Sequence, residues 1–149
     1  MAKYFVFYSA TGNGEYISSL LMEKGYTPVK VEMVKPMGRV SFFKILKFGG
    51  DAMVNKKAKI NEISLDLQEN DEVIIGSPIW NDRLSTPINS VLAKYNFNKE
   101  TTGFILYPAG EGTKKSLKQI AKLGFKKEPV VIQYPLKYQE EAKKKLGLE

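Results

Sequence analysis

Six consecutive residues, Ser9-Ala10-Thr11-Gly12-Asn13-Gly14, have the composition of an anion trap. They follow a short apolar run, Tyr4-Phe5-Val6-Phe7-Tyr8, and lead into a helical pattern beginning near Glu15. A helix N-terminus presents unpaired backbone N–H groups and about half a positive charge. Gly12 and Gly14 let the backbone approach a ligand closely, and Ser9 and Thr11 add hydroxyl donors. No Lys or Arg lies inside the loop, so phosphate capture there rests on dipoles and hydrogen bonds. The same six residues also suit an ordinary strand-to-helix turn, which needs a cap and often a glycine. On the loop alone both readings stand.

Two absences narrow the chemistry. The chain has no Cys and no His, which excludes a thiolate nucleophile, a Ser-His-Asp triad and a Cys/His zinc site. Acid–base work falls to carboxylates, Lys and Tyr, whose ordinary pKa values lie far from neutrality. Difficult chemistry would therefore be carried by a cofactor.

The elements that must position this loop alternate along the chain. Expected strands are Tyr4–Tyr8, Val29–Val34, Asp71–Ser77, Gly103–Tyr107 and Pro129–Tyr134. The run Val73-Ile74-Ile75 suits a strand buried on both faces. Ile17, Leu20 and Leu21 mark a first helix that stops at Gly25, and Phe42, Ile45, Leu46 and Met53 mark a second within 39–54. Lys56–Lys59 then reads as a loop. Thr86-Pro87 caps and starts a helix carrying Ile88, Val91, Leu92 and Tyr95; Thr113 caps another carrying Leu117, Ile120 and Ala121; a last one spans 137–146. The expected fold is α/β, one domain over residues 1–149 with a doubly wound parallel sheet. Ligands of such sheets sit at the carboxyl ends of the strands. Three loops would meet there: 9–14, 78–84 and 108–112.

With 149 residues and 43% hydrophobic content, the chain is large enough for a sizeable core. No apolar run reaches the ~18 residues of a membrane span. The start at Met1-Ala2-Lys3 runs directly into a strand, so no signal peptide is expected, and the absence of Cys fits a cytoplasmic location. The net charge is +7 and the pI about 9.4. Lysines cluster in 35–59, 114–127 and 137–145; from Thr113 to Lys127 there are six and no acid. That segment reads either as a solvated helix face or as a docking surface for an acidic protein, nucleic acid or anionic membrane. With only Arg39 and Arg83 and no nucleic-acid motif, nucleic acid is not the expected partner.

Two familiar nucleotide motifs do not fit. Gly12-Asn13-Gly14 supplies the first glycines of a dinucleotide fingerprint, but Ile17 stands at the third. Glu32 on the second strand is a weak candidate for a ribose partner. Gly110-Glu111-Gly112-Thr113-Lys114 lacks the Walker spacing and ending.

Ser9-Ala10-Thr11-Gly12-Asn13-Gly14-Glu15-Tyr16 resembles the flavodoxin phosphate loop, T/S-x-T-G-N-T, which continues with Glu-Tyr in some members. Gly76-Ser77-Pro78-Ile79-Trp80 through Thr86-Pro87 is similar to the second flavin-contacting loop of short flavodoxin-like proteins. Phe42–Lys59 resembles their second helix and basic loop. The resemblance covers the whole chain in element order. It implies a three-layer, five-stranded sheet of order 2-1-3-4-5 and the cofactor FMN. Ser9, Ala10, Thr11, Gly12, Asn13 and Gly14 would then hold the 5′-phosphate. Pro78, Ile79, Trp80, Asn81, Asp82 and Arg83, with Ala109, Gly110, Glu111 and Gly112, would border the ring system. Trp80 would lie against the isoalloxazine, as aromatic planes stack on flat heterocycles; the plainer alternative for this single Trp is a core or surface-patch residue.

The same resemblance puts Asn81 where a peptide flip toward the flavin needs positive φ, which Asn adopts less freely than Gly. Asp82 is either a site residue or a turn former, and Arg83 either a pyrimidine or substrate contact or a surface charge. Three departures stand out. Gly14 replaces a hydroxyl residue, removing a phosphate contact or loosening the helix start. The 108–112 loop lacks an aromatic for the second flavin face, Tyr107 belonging to the strand. The chain is basic where familiar flavodoxins are acidic. The expected function is an FMN protein moving electrons between redox partners, with an acidic partner protein or a small acceptor. The alternatives are an FMN-dependent NAD(P)H:quinone oxidoreductase and a flavodoxin-fold interaction module without cofactor.

Overall fold

The computed structural model describes residues 1–35, 57–110 and 112–148. In chain order it contains β1 (Lys3–Phe7), α1 (Asn13–Met22), β2 (Thr27–Lys30), β3 (Glu72–Trp80), β4 (Arg83–Leu84), α2 (Thr86–Lys94), β5 (Gly103–Tyr107), α3 (Lys114–Lys122), β6 (Val130–Val131) and α4 (Gln139–Lys145). The strands form one parallel sheet of order β2-β1-β3-β5-β6, with β4 turning back antiparallel on β3. This is the anticipated order of five parallel strands, with one short hairpin added.

Period-two alternation builds the three layers. Along β1 and the residue after it, Phe5 and Phe7 face one side and Val6 and Tyr8 the other; on β5, Ile105 and Tyr107 oppose Phe104 and Leu106. One face packs Ile17, Leu20 and Leu21 of α1 and Ala142 of α4. The opposite face packs Ile88 and Val91 of α2 and Ile120 of α3. Each fully buried large side chain contributes roughly 1.5–3 kcal/mol, so a sheet covered on both sides holds its strand ends firmly.

Several boundaries differ from expectation. The second strand begins earlier, at Thr27, with Pro28 in register opposite Phe5; Pro is tolerated because β2 is an edge strand. The last strand shortens to Val130–Val131. The helix expected in 39–54 lies outside the described residues, as does Lys56; residues 57–59 carry no helix or strand. The largest correction concerns 78–84, which is not a loop. Pro78, Ile79 and Trp80 continue β3, and Trp80 pairs with Arg83 across a two-residue turn. Asn81 and Asp82 at its centre have φ of 49° and 63°. Positive φ at both positions defines a type I′ hairpin turn, whose twist matches the strands. No helix among the described residues is long and apolar enough to cross a membrane.

Candidate functional site

The carboxyl ends of β1, β3 and β5 bring together the 9–14 loop, the Asn81–Asp82 turn and residues 108–110, with Gly112 beside them. The first of these is closed tightly. Gly12 takes a left-handed conformation, φ 90°, and precedes α1. The Ser9 hydroxyl accepts the Gly14 N–H at 3.0 Å, and the Gly12 carbonyl accepts the Tyr16 N–H at 3.1 Å. The Asn13 amide reaches back to the Thr11 hydroxyl at 3.3 Å. At the mouth of α1 the Asn13 N–H faces no earlier helical carbonyl, the geometry on which anion sites are built.

Gly14 reverses the expectation of a loose helix start. A Cβ there would lie 2.6 Å from Ser9 Cβ, 2.9 Å from Phe7 Cδ2 and 2.9 Å from the Tyr107 hydroxyl. There is no volume for a hydroxyl side chain. Tyr107 is the buried end of β5, as expected, and its hydroxyl donates to the Tyr8 carbonyl immediately before the loop. The loop is thus narrowed from below by a tyrosine and carries glycine where that tyrosine reaches.

The electrostatics of the loop include a carboxylate. Glu15, in the first turn of α1, receives the Lys30 ammonium at 2.9 Å, and Lys30 also lies 3.3 Å from Glu32. Partial burial works to raise the Glu15 carboxyl, but hydrogen bonds from Ser9 and Lys30 outweigh it and hold it below the ordinary carboxylate range. Lys30 is raised correspondingly, chiefly by its bond to Glu15. Glu15 therefore complements the positive end of the helix with its charge largely matched by Lys30.

The turn is held from behind by polar side chains. Ser77 and Ser85, both fully buried, share a hydrogen bond at 2.9 Å, and the Ser85 N–H donates to Ser77 Oγ at 3.1 Å. Ser85 precedes α2 yet makes no cap bond with its side chain; Thr86, anticipated as the cap, is the first helical residue. Thr113 likewise precedes α3 without a side-chain cap bond. Gln119 of α3 accepts the Leu84 N–H at 3.3 Å and donates to Asn89 at 2.9 Å.

Trp80 requires a correction. Its ring is 1% exposed and meets Tyr8 edge-on at 5.7 Å, inside the core over which α2 and α3 pack. Pro78 and Ile79 are likewise strand residues, Ile79 buried. Of the 78–84 candidates, Asn81, Asp82 and Arg83 are partly exposed at the turn. Asp82 Oδ1 is enclosed without a hydrogen-bond partner and lies 3.6 Å from where a Gly112 Cβ would stand. Ala109 and Gly110 are exposed on the neighbouring loop; Glu111 lies outside the described residues.

Residues 134–138 border this edge as well, which the sequence reading did not anticipate. The Leu136 N–H donates to Asn13 Oδ1 at 3.2 Å, and the Tyr134 hydroxyl stands 3.1 Å from a Cβ placed on Gly110. Tyr134 and Tyr138 meet edge-on at 6.2 Å, both exposed. The sequence signal for them is Tyr134-Pro135-Leu136-Lys137-Tyr138, aromatics spaced around a Pro, at the end of the expected strand Pro129–Tyr134. Its φ of 43° ends any strand there.

No protein-family profile matches the sequence, and no curated protein does. Solved structures do match. A flavoprotein from Lactobacillus acidophilus NCFM, crystallised in complex with FMN, superposes with TM-score 0.66 at 19% identity, covering 93% of this chain and 97% of that one. A candidate flavoprotein from Bacteroides uniformis ATCC 8492 gives TM-score 0.76 at 14% identity, covering 98% and 97%. One from Bacteroides eggerthii DSM 20697 gives 0.65 at 19%, covering 88% and 87%.

The fold is flavodoxin-like. At these identities the likeness establishes the architecture and nothing finer. Within a flavodoxin-like sheet, Ser9–Gly14, the Asn81–Asp82 turn and Ala109, Gly110 and Gly112 occupy the carboxyl edge, where such folds place ligands.

Proposed function

We propose that this chain binds FMN at the carboxyl edge of its sheet and works as an electron carrier. The observation that carries the reading is the Ser9–Gly14 loop, a left-handed glycine and a side-chain-free Gly14 at the mouth of α1. Such a loop suits a phosphomonoester held by backbone N–H groups and hydroxyls. The Lactobacillus flavoprotein, bound to FMN and superposed over nearly the whole chain, supports the choice of ligand. When bound, FMN supplies one- or two-electron chemistry that no side chain here can perform. The protein's own part is to bind, orient and shield. Ser9, Thr11, Gly12 and Asn13 would hold the phosphate, while the Asn81–Asp82 turn with Ala109, Gly110 and Gly112 would border the ring system. Trp80 underpins the turn from within the core.

The exposed Tyr134–Tyr138 pair beside Gly110 favours a second reading, an FMN-dependent NAD(P)H:quinone oxidoreductase, since aromatic faces at the site edge suit a second flat substrate. Titration with FMN and riboflavin, followed through the fluorescence of the single Trp, tests the first reading. Saturable quenching is expected, with FMN at least about tenfold tighter than riboflavin because only FMN carries a phosphate for the N–H groups and hydroxyls of the Ser9–Gly14 loop. Absence of saturation with either ligand refutes it. Flavin bleaching by NADPH alone, with turnover on a quinone, would move the assignment to the reductase.

A further inference from the structure

Four lysines project from α3: Lys114, Lys115, Lys118 and Lys122 are all exposed. Lys114, Lys118 and Lys122 recur every four residues and so form one stripe along the helix. Like charges at this spacing repel, each pair costing a few tenths of a kcal/mol. Lys114 and Lys115 also sit in the first turn, where the helix dipole disfavours cations, and no acid is there to offset them. None of the four joins an ion pair among the described residues, whereas Lys30, Lys94, Lys143 and Lys145 each face a glutamate. The buried side of the same helix, through Ile120 and Gln119, packs against the core and the strand leaving the Asn81–Asp82 turn. The helix begins two residues beyond Gly112, at the edge assigned above to the cofactor.

We infer that the exposed face of α3 is the docking surface for an acidic protein, the electron partner of the adjacent site. Charge complementarity identifies the occupant. Exposed lysine ammoniums in a row, unpaired among the described residues, steer and orient a surface of carboxylates. Nucleic acid fits less well, because the face has no arginine and no aromatic to stack a base. The partner's redox identity rests on the FMN reading; the acidic surface does not.

The test therefore uses the chain without added flavin and a labelled glutamate 20-mer as probe, in low salt, against a single-stranded DNA 20-mer. Two variants carry the same change in charge: Lys118→Glu with Lys122→Glu on α3, and Lys143→Glu with Lys144→Glu on α4. The α3 variant should weaken peptide binding by at least about tenfold, and the α4 variant by less than about threefold, as expected of a localised rather than a global field. The α3 variant should also melt no lower than the parent, because repulsion is removed. Equal weakening by both variants would overturn the assignment, since it would reflect net charge alone. DNA binding tighter than the peptide and lost in the α3 variant would overturn it in favour of nucleic acid. Failure of the flavin titration would remove only the partner's redox role.

Discussion

The Ser9–Gly14 loop and the Asn81–Asp82 turn reach the same edge of the sheet and are held there by opposite means. The loop is fixed by exclusion: Ser9, Phe7 and Tyr107 close on Gly14 until no side chain fits. The turn is fixed by attachment, through Trp80 beneath it and the Ser77–Ser85 and Gln119–Leu84 hydrogen bonds behind it. A lock made by exclusion fails sharply when an atom is added. A lock made of several bonds loses one at a time. In the proposed site the loop would only have to offer dipoles to an ion, whereas the turn holds two non-glycine residues at positive φ, which costs energy the surroundings must supply.

Substitutions can break or refine this contrast, and the largest effect should come from the turn's anchor. Trp80→Ala is expected to destabilise the fold by about 3–5 kcal/mol, the range for removing a buried aromatic. Thermal or urea unfolding measures it; a loss under 1 kcal/mol would mean the ring is not a core support. Next comes Gly14→Val, expected to cost about 3 kcal/mol by overpacking. Tm should fall by roughly 6–12 °C for a chain of this size, and FMN titration should show the affinity lost with it. Full FMN affinity in that variant would show the loop to be yielding and end the distinction.

Gln119→Leu is expected to cost about 1–2 kcal/mol, because it strands the Leu84 N–H. Hydrogen exchange should show the Leu84 amide opening while those of α1 stay protected. Glu15→Gln should have the smallest effect, within the roughly 0.2–1 kcal/mol of exposed pairs. Its sign follows from the depressed carboxyl. The stabilisation is present above the ordinary glutamate range and is lost as pH falls through the lowered folded value. The Tm gap between parent and variant should therefore close on acidification from pH 7 to below about 4. A gap unchanged at low pH would show that charge plays no part in the loop.

Much of the architecture was readable because its physics is periodic. Val73-Ile74-Ile75 announced a doubly covered strand, Ile17/Leu20/Leu21 a helix face, and Gly25 its stop, where φ is 87°. The break between β1 and α1 was readable because the hydroxyls and glycines of Ser9–Gly14 interrupt two periodic apolar runs. Trp80 was misread because an aromatic beside Pro78 and an Asn-Asp pair looks like loop chemistry. Only the pairing of Trp80 with Arg83 reveals a strand carried two residues past Pro78. Gly14 was misread for a different reason. Its meaning lies in Tyr107, 93 residues away, and no local pattern reports a clash between side chains so far apart in sequence. Residues 134–138 escaped for the same cause, as their tie to Asn13 spans 123 residues.

The two margins of the sheet have a consequence of another kind. β2 places Pro28 in its middle and Lys30 at its end, and β6 offers two residues only. A proline contributes no N–H, a lysine resists close stacking, and a two-residue strand is too short to template another. Growth of the sheet from molecule to molecule is therefore blocked on both sides, and a concentrated solution should resist fibrillar growth from the native state.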